Sequence, residues 1–151
     1  MNIIKDFITP EQEQNLVDFI DSKGWSNALK RRTQHYGYIY KYGSKTLEKT
    51  EPIPDELLFD FKADMCIVNE YYNNQSISAH TDHVKLFGNE IQIISLLDDT
   101  IMKFTKGKQI NLIKLPRRSK LIMKDDVRYK WKHQLTYKGE RRISLTYRTV
   151  K

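Results

Sequence analysis

From residue 36 onward the chain is mostly short β-type runs and turns, and that succession constrains the fold more than any other feature. Runs at 64–72, 91–97, 100–105, 109–115, 119–124, 131–137 and 141–149 are rich in β-branched and aromatic residues. Polar or glycine-bearing turns separate them. Asn73-Asn74 and Lys106-Gly107 read as loop tips, and Tyr137-Lys138-Gly139-Glu140 as a hairpin turn. Many short strands after one or two helices predict a mainly β, α+β architecture: a sandwich or barrel with helices packed on one side.

The helical signal sits at the N-terminus. Thr9 can cap, Pro10 suits the first helical position, and Gln12 can turn back to the cap. Leu16, Phe19 and Ile20 then form one apolar stripe, and Gly24 ends the helix. Tyr36-Gly37-Tyr38-Ile39-Tyr40-Lys41-Tyr42 reads as aromatic and extended, and Pro52 and Pro54 break any regular element near 50–55. There is no internal repeat and no visible boundary, so residues 1–151 are expected to form one domain.

With 26 Lys+Arg against 19 Asp+Glu, the formal net charge is +7. A basic balance suits an anionic partner such as nucleic acid, and it equally suits a merely soluble basic protein. Cys66, the only cysteine, allows no intrachain disulfide, and its apolar neighbours predict a buried, inert thiol. No apolar run has the length of a membrane span, and the N-terminus lacks a signal-peptide pattern. A soluble, cytoplasmic monomer with no membrane partner is expected.

His80-Thr81-Asp82 is a His-X-Asp motif. In an extended chain, positions two apart point the same way, so His80 and Asp82 can grip one ion. A third ligand has to come from elsewhere. Of the other histidines, His133 lies in a strand-like run, His83 is an alternative ligand or a surface residue, and His35 could serve a substrate or the fold. Two imidazoles and a carboxylate on one face of an ion leave positions open, which suits non-haem Fe(II) and O2. Taken alone, His-X-Asp also arises by chance.

The segment 141–148 alternates. Arg142, Ser144, Thr146 and Arg148 share one face; Ile143, Leu145 and Tyr147 share the other. Two readings stand: an amphipathic strand with its polar face in water, or a polar face turned into a barrel. In the second, the arginines need anions, and a dicarboxylate suits paired guanidinium hydrogen bonds. Asn69 and Tyr71 share a parity upstream and could add directed hydrogen bonds.

Together these motifs resemble the AlkB family of Fe(II)/2-oxoglutarate dioxygenases. Asn69-Glu70-Tyr71, His80-Thr81-Asp82, His133 and Arg142-Ile143-Ser144-Leu145-Thr146-Tyr147-Arg148 occur in the family's order, and the resemblance runs from about Phe7 to the C-terminus. It implies a double-stranded β-helix, or jelly roll, with N-terminal helices packed on one sheet. It implies His80, Asp82 and His133 as iron ligands, with 2-oxoglutarate and O2 as cosubstrates. Arg148 and Asn69 would meet the 1-carboxylate end of 2-oxoglutarate, and Arg142 and Tyr71 its distal carboxylate. Ser144 departs from the Asn of many DNA-repair members.

The segments 31–38 and 128–133 look closest to the branch that includes the AlkB domain of a tRNA wobble-uridine hydroxylase. The implied function is oxidative demethylation or hydroxylation of modified bases in RNA or DNA; the alternative is the same chemistry on a protein or small molecule. Tyr36, Tyr38 and Tyr40 are candidates to stack on a flipped base, with Tyr38 preferred for its place after Gly37, or else they pack in the core. Arg32, with Lys30 and Arg31, could hold phosphates. Arg117-Arg118-Ser119-Lys120 reads as a solvated basic turn.

Overall fold

The computed structural model describes residues 1–151. In chain order the elements are β1 (Asn2–Ile4), α1 (Pro10–Asp21), β2 (Arg32–Tyr36), β3 (Tyr38–Lys41), β4 (Thr46–Lys49), a 3-10 turn (Asp55–Leu57), β5 (Met65–Tyr72), β6 (Ser76–His80), β7 (Phe87–Leu96), β8 (Thr100–Lys106), β9 (Gln109–Leu115), β10 (Lys120–Met123), α2 (Asp126–Tyr129), β11 (Lys132–Thr136) and β12 (Arg141–Val150). They form a six-stranded sheet ordered β1-β10-β7-β12-β5-β2, a four-stranded sheet ordered β6-β11-β8-β9, and the small β3–β4 hairpin. The two larger sheets face each other as the two walls of a jelly roll. No helix is long and apolar enough to cross a membrane.

Side-chain alternation explains how the large sheet serves two interiors. Cys66 and Val68 of β5, Ile94 and Leu96 of β7, and Ile143, Leu145 and Tyr147 of β12 face α1, where they pack with Leu16, Val17, Ile20 and Leu57. The opposite parity faces the small sheet, where Tyr71, Ile91, Ile93 and Leu121 pack with Met102, Phe104, Leu115 and Leu135. Cys66 is fully buried, and burial pushes its thiol up to about 12, so it is chemically quiet. One α-helix and a 3-10 turn cover the sheet, where the sequence suggested N-terminal helices in the plural.

Helix α1 starts as its sequence dictates. Gln12 N–H donates to Thr9 Oγ1 at 3.1 Å, and Thr9 N–H donates to Gln12 Oε1 at 2.8 Å, a reciprocal cap. The apolar stripe is Leu16, Val17 and Ile20, with Phe19 only half-buried. Glu13 is also buried on this face. Its carboxylate accepts from Leu97 N–H at 2.9 Å and from Arg117 Nη2 at 2.7 Å, and Arg118 lies 3.6 Å away. The 117–120 run is therefore a clamp on α1 rather than a free basic turn, with the Arg117 side chain still 45% exposed. Lys120 is buried beyond the clamp, with its ammonium 4.2 Å from the Phe7 ring centroid.

Two further expectations change. Residues 137–140 do not turn a hairpin: β11 lies in the small sheet and β12 in the large one, so this segment crosses between walls. The extended run at 36–42 breaks at Gly37, whose φ is +81°. A Cβ there would lie 2.1 Å from the Asp64 carbonyl oxygen, so only glycine fits. The strand before the break begins at Arg32, and the strand after it belongs to the β3–β4 hairpin.

On the α1 side of the sheet, Glu70 ties four elements together. It is fully buried and accepts from Arg32 Nε at 2.7 Å and Arg141 Nη2 at 2.6 Å; Arg141 Nη2 also donates to Asp21 of α1 at 2.7 Å. Burial pushes the Glu70 carboxyl up, but the hydrogen bonds from Arg32 and Arg141 outweigh it and hold it below the usual carboxylate range. Its stabilisation is then fully present above the unfolded value of ~4.3 and is lost as pH falls through the lower folded value. We expect Glu70→Gln to cost about 2 kcal/mol at pH 7, less than the about 3–5 kcal/mol of a fully buried broken pair, because both arginines keep part of their guanidinium in water. Urea unfolding across pH 2–7 checks this: the variant should show a flatter acid limb than the wild type, and identical limbs would exclude the network as an acid-sensitive tie.

Candidate active site

The polar face of β12 points into the space between the sheets, not into water. Arg142 is fully buried, Ser144 and Thr146 nearly so, and with Arg148 they line a lumen shared with Asn69 and Tyr71 of β5. Ile93, Met102, Met123 and Leu135 supply its apolar wall. Pairing makes this wall continuous: Arg142 lies opposite Tyr71, and Ser144 lies opposite both Asn69 and Ser95.

At one end of the lumen, His80, Asp82 and His133 converge with ligand atoms all within 4.8 Å of one another. The small sheet creates this: β6 and β11 are antiparallel neighbours with His133 paired to His80, and Asp82 follows just beyond the strand end. His80 Nε2 lies 3.1 Å and His133 Nε2 3.8 Å from Asp82 Oδ1. His80 Nδ1–H donates to the Ser78 carbonyl at 2.7 Å, which directs Nε2 toward the carboxylate. Burial lowers His133 to about 4, so its imidazole is neutral and its lone pair is free for a metal. Burial would raise Asp82, but Arg148, His80 and His133 hold it far below the usual range, and it is ionised. For His80, the hydrogen bonds to Asp82 and Ser78 overcome burial and raise it.

Arg148 Nε donates to Asp82 Oδ2 at 2.6 Å. Arg142 is different. Its Nη2 donates to Ser95 Oγ at 2.9 Å, and its Nε and Nη1 have no protein partner. An unpaired buried guanidinium is costly and calls for an anion. The donor set and this cation together fit Fe(II) and a dicarboxylate, one binding the imidazoles and Asp82, the other satisfying Arg142. The free volume between them is about 40 Å3.

A second, open cavity of about 320 Å3 leads from the surface to His80, Asp82 and Arg148. Tyr40, Tyr42, His83 and Phe87 form its aromatic wall and Lys45 its rim. The Tyr40 ring centroid lies 6.2 Å from that of His83 and 5.9 Å from that of Phe87.

The residues singled out in the sequence divide accordingly. His80, Asp82, His133, Asn69, Tyr71, Arg142 and Arg148 come together in one lumen. Asn69 Oδ1 accepts from Arg31 Nε at 3.0 Å, so Arg31 reaches the lumen's edge. Arg32 and Tyr36 are corrected: their parity on β2 puts them on the α1 side of the sheet. Arg32 is held by Glu70 and lies over Trp25, and Tyr36 is buried with its hydroxyl donating to Gln34. Tyr38 lines a separate groove with Gly37 and Asp64, whereas Tyr40, with Tyr42, lines the cavity that reaches His80 and Asp82. His83 is not in the triad, since its Nδ1 accepts backbone N–H groups of Lys85 and Leu86. His35 is half-buried beside Thr33, with Nε2 3.0 Å from Thr33 Oγ1. Tyr42, Lys45 and Phe87 join the aromatic-walled cavity unannounced by any motif; Tyr42 alone belongs to the aromatic run at 36–42.

A sequence profile of the 2OG-Fe(II) oxygenase superfamily matches residues 22–148. The uncharacterized protein L905 of Acanthamoeba polyphaga mimivirus is 33% identical, over 99% of this chain and 84% of that one. The Xenopus tropicalis tRNA (carboxymethyluridine(34)-5-O)-methyltransferase alkbh8 is 30% identical over 89% of this chain, which spans only 24% of that protein's length. The structure of OsALKBH1 superposes with a TM-score of 0.80 over 97% of this chain and 95% of that one, at 14% identity, which is a likeness of fold. The chain thus belongs to the AlkB family of the 2OG-Fe(II) oxygenase superfamily, oxygenases that work with Fe(II), 2-oxoglutarate and O2.

Proposed function

We propose that this oxygenase acts on a modified base in nucleic acid, with His80, Asp82 and His133 holding iron and Arg142 receiving the distal carboxylate of 2-oxoglutarate. Tyr71, whose ring lies 5.6 Å below the Arg142 guanidinium, borders that carboxylate, and Arg148 with Asn69 serves the opposite end. Bound there, iron with 2-oxoglutarate and O2 supplies oxidative decarboxylation to succinate and CO2, coupled to hydroxylation of a substrate C–H bond. The protein's own part is positional. Ionised Asp82 and neutral His133 present lone pairs, the apolar wall of the lumen excludes water, and the wide cavity receives the substrate.

The aromatic cavity carries the choice of substrate. A base leaves its stack to reach buried chemistry, and Tyr40, Tyr42, His83 and Phe87 offer flat faces beside His80 and Asp82. The net charge of +7 and the rim lysine suit a polyanion. The frog relative named for tRNA modification is in keeping with this, although its shared segment is a quarter of that protein. If the modified carbon is an N-methyl group, hydroxylation gives a hemiaminal that releases formaldehyde and restores the base.

Two outcomes are expected. Incubation with Fe(II), 2-oxoglutarate and a panel of modified RNA and DNA oligonucleotides should release succinate in step with loss of one modified nucleoside, read by mass spectrometry. Turnover should weaken steeply with salt, and turnover confined to peptides or small molecules would overturn the nucleic-acid reading. Arg142→Met should weaken 2-oxoglutarate binding at least tenfold, since each hydrogen bond to a charged group contributes about 1.5–3 kcal/mol. In calorimetry without ligand its melting temperature should not fall, because the change removes an unpaired buried cation. A clear drop in melting temperature with 2-oxoglutarate affinity unchanged would show that Arg142 serves the fold alone.

A further inference from the structure

The proposed metal ligands come from two separate segments. His80 and Asp82 lie at the end of β6 and the start of a turn, and His133 lies in β11. Arg128 belongs to α2, shortly before His133, and is 2% exposed. Its guanidinium is satisfied by carbonyls, not by a carboxylate. Nη1 donates to Asp82 O at 2.9 Å, Nη2 to His83 O at 3.1 Å and Phe87 O at 3.2 Å, and Nε to Gly88 O at 3.0 Å. These four carbonyls are the two ends of the turn that follows the His-X-Asp motif. One planar cation closes that turn and fixes the backbone of Asp82.

Two more bonds support the same junction. Thr81, between the two ligands, donates its hydroxyl to the Trp131 carbonyl at 2.9 Å. Asn89 and Asp125 bond reciprocally, Nδ2 to Oδ1 at 2.9 Å and the Asp125 N–H to Asn89 Oδ1 at 2.8 Å, which anchors the start of α2. The Tyr129 ring, 4.6 Å from the guanidinium, and the nearby Asp82 charge help to offset this buried cation, yet one hydrogen-bonded only to carbonyls is an expensive way to close a surface turn. It is reasonable where the turn carries a group that has to be held within a fraction of an ångström.

We propose that Arg128 is a positioning residue that sets the metal affinity of the site by locking the Asp82 backbone to the segment carrying His133. This rests on the reading of His80, Asp82 and His133 as metal ligands. A fork that spans four carbonyls cannot be replaced by a point charge, so Lys should restore part of the effect and an apolar side chain none.

The test is Mn(II) binding to the full chain, followed by loss of the free-ion paramagnetic resonance signal at a temperature where each variant is folded. Arg128→Met should bind Mn(II) 10–100-fold more weakly than wild type, the usual cost of losing a group that orients a metal ligand. Arg128→Lys should fall between the two. Arg117→Met, which breaks the clamp on Glu13 across the sheet, should destabilise the fold yet leave Mn(II) affinity within about twofold. Unchanged affinity in Arg128→Met, or an equal loss in Arg117→Met, would overturn the proposal. If Arg128→Met does not fold, Arg128→Lys and Thr81→Val carry the comparison, each expected several-fold weaker, and wild-type affinity in both overturns it. Undiminished Mn(II) binding by His80→Ala would instead refute the metal reading itself.

Discussion

Arg142 sits near the start of β12, a strand interior to the large sheet, fully buried, with two nitrogens that no protein group satisfies. An isolated protein cation in such a place is a cost to folding, and the surrounding structure has to bear it. β12 does so because β5 and β7 pair with it along both edges and its alternate residues, Ile143, Leu145 and Tyr147, pack under α1. The clamp of Arg117 and Arg118 on Glu13 and the Glu70 network then hold α1 and the sheet edge in place. Much of the architecture serves to keep one polar strand face inside the molecule.

The same logic governs the metal end of the lumen. The small sheet brings His80 beside His133, but Asp82 lies past the strand end, where a free turn would be mobile. Strand pairing alone therefore positions two of the three ligands. Asp82 depends on contacts to its backbone and on Arg148 at its second oxygen. The ionised carboxylate and the neutral His133 follow from charge and burial around them, and both are the forms a divalent cation requires.

How much of this was legible in the sequence depends on the range of the interaction. The α1 cap, the strand runs and the alternation of 141–148 are local, and they read out well. His80, Asp82, His133 and the two arginines were legible through motif order, because strand periodicity maps directly onto which face a residue occupies. Arg32 and Tyr36 were misplaced because their face depends on the register of β2 against β5 and on the break at Gly37, neither of which is local. Nothing local marks Glu13 for burial, because its partners Arg117 and Leu97 are distant in the chain. The 137–140 segment has hairpin composition, yet its flanking strands pair in different sheets, which only the tertiary fold decides.

In the proposed function one lumen holds a metal and a keto dicarboxylate together. Its most direct test is anaerobic titration of 2-oxoglutarate into Fe(II)-loaded protein, followed by the visible charge-transfer absorption of the chelated keto acid. The band should saturate at equimolar 2-oxoglutarate in the wild type and be lost in His133→Ala. A band of full strength in His133→Ala, or none in the iron-loaded wild type, would contradict it.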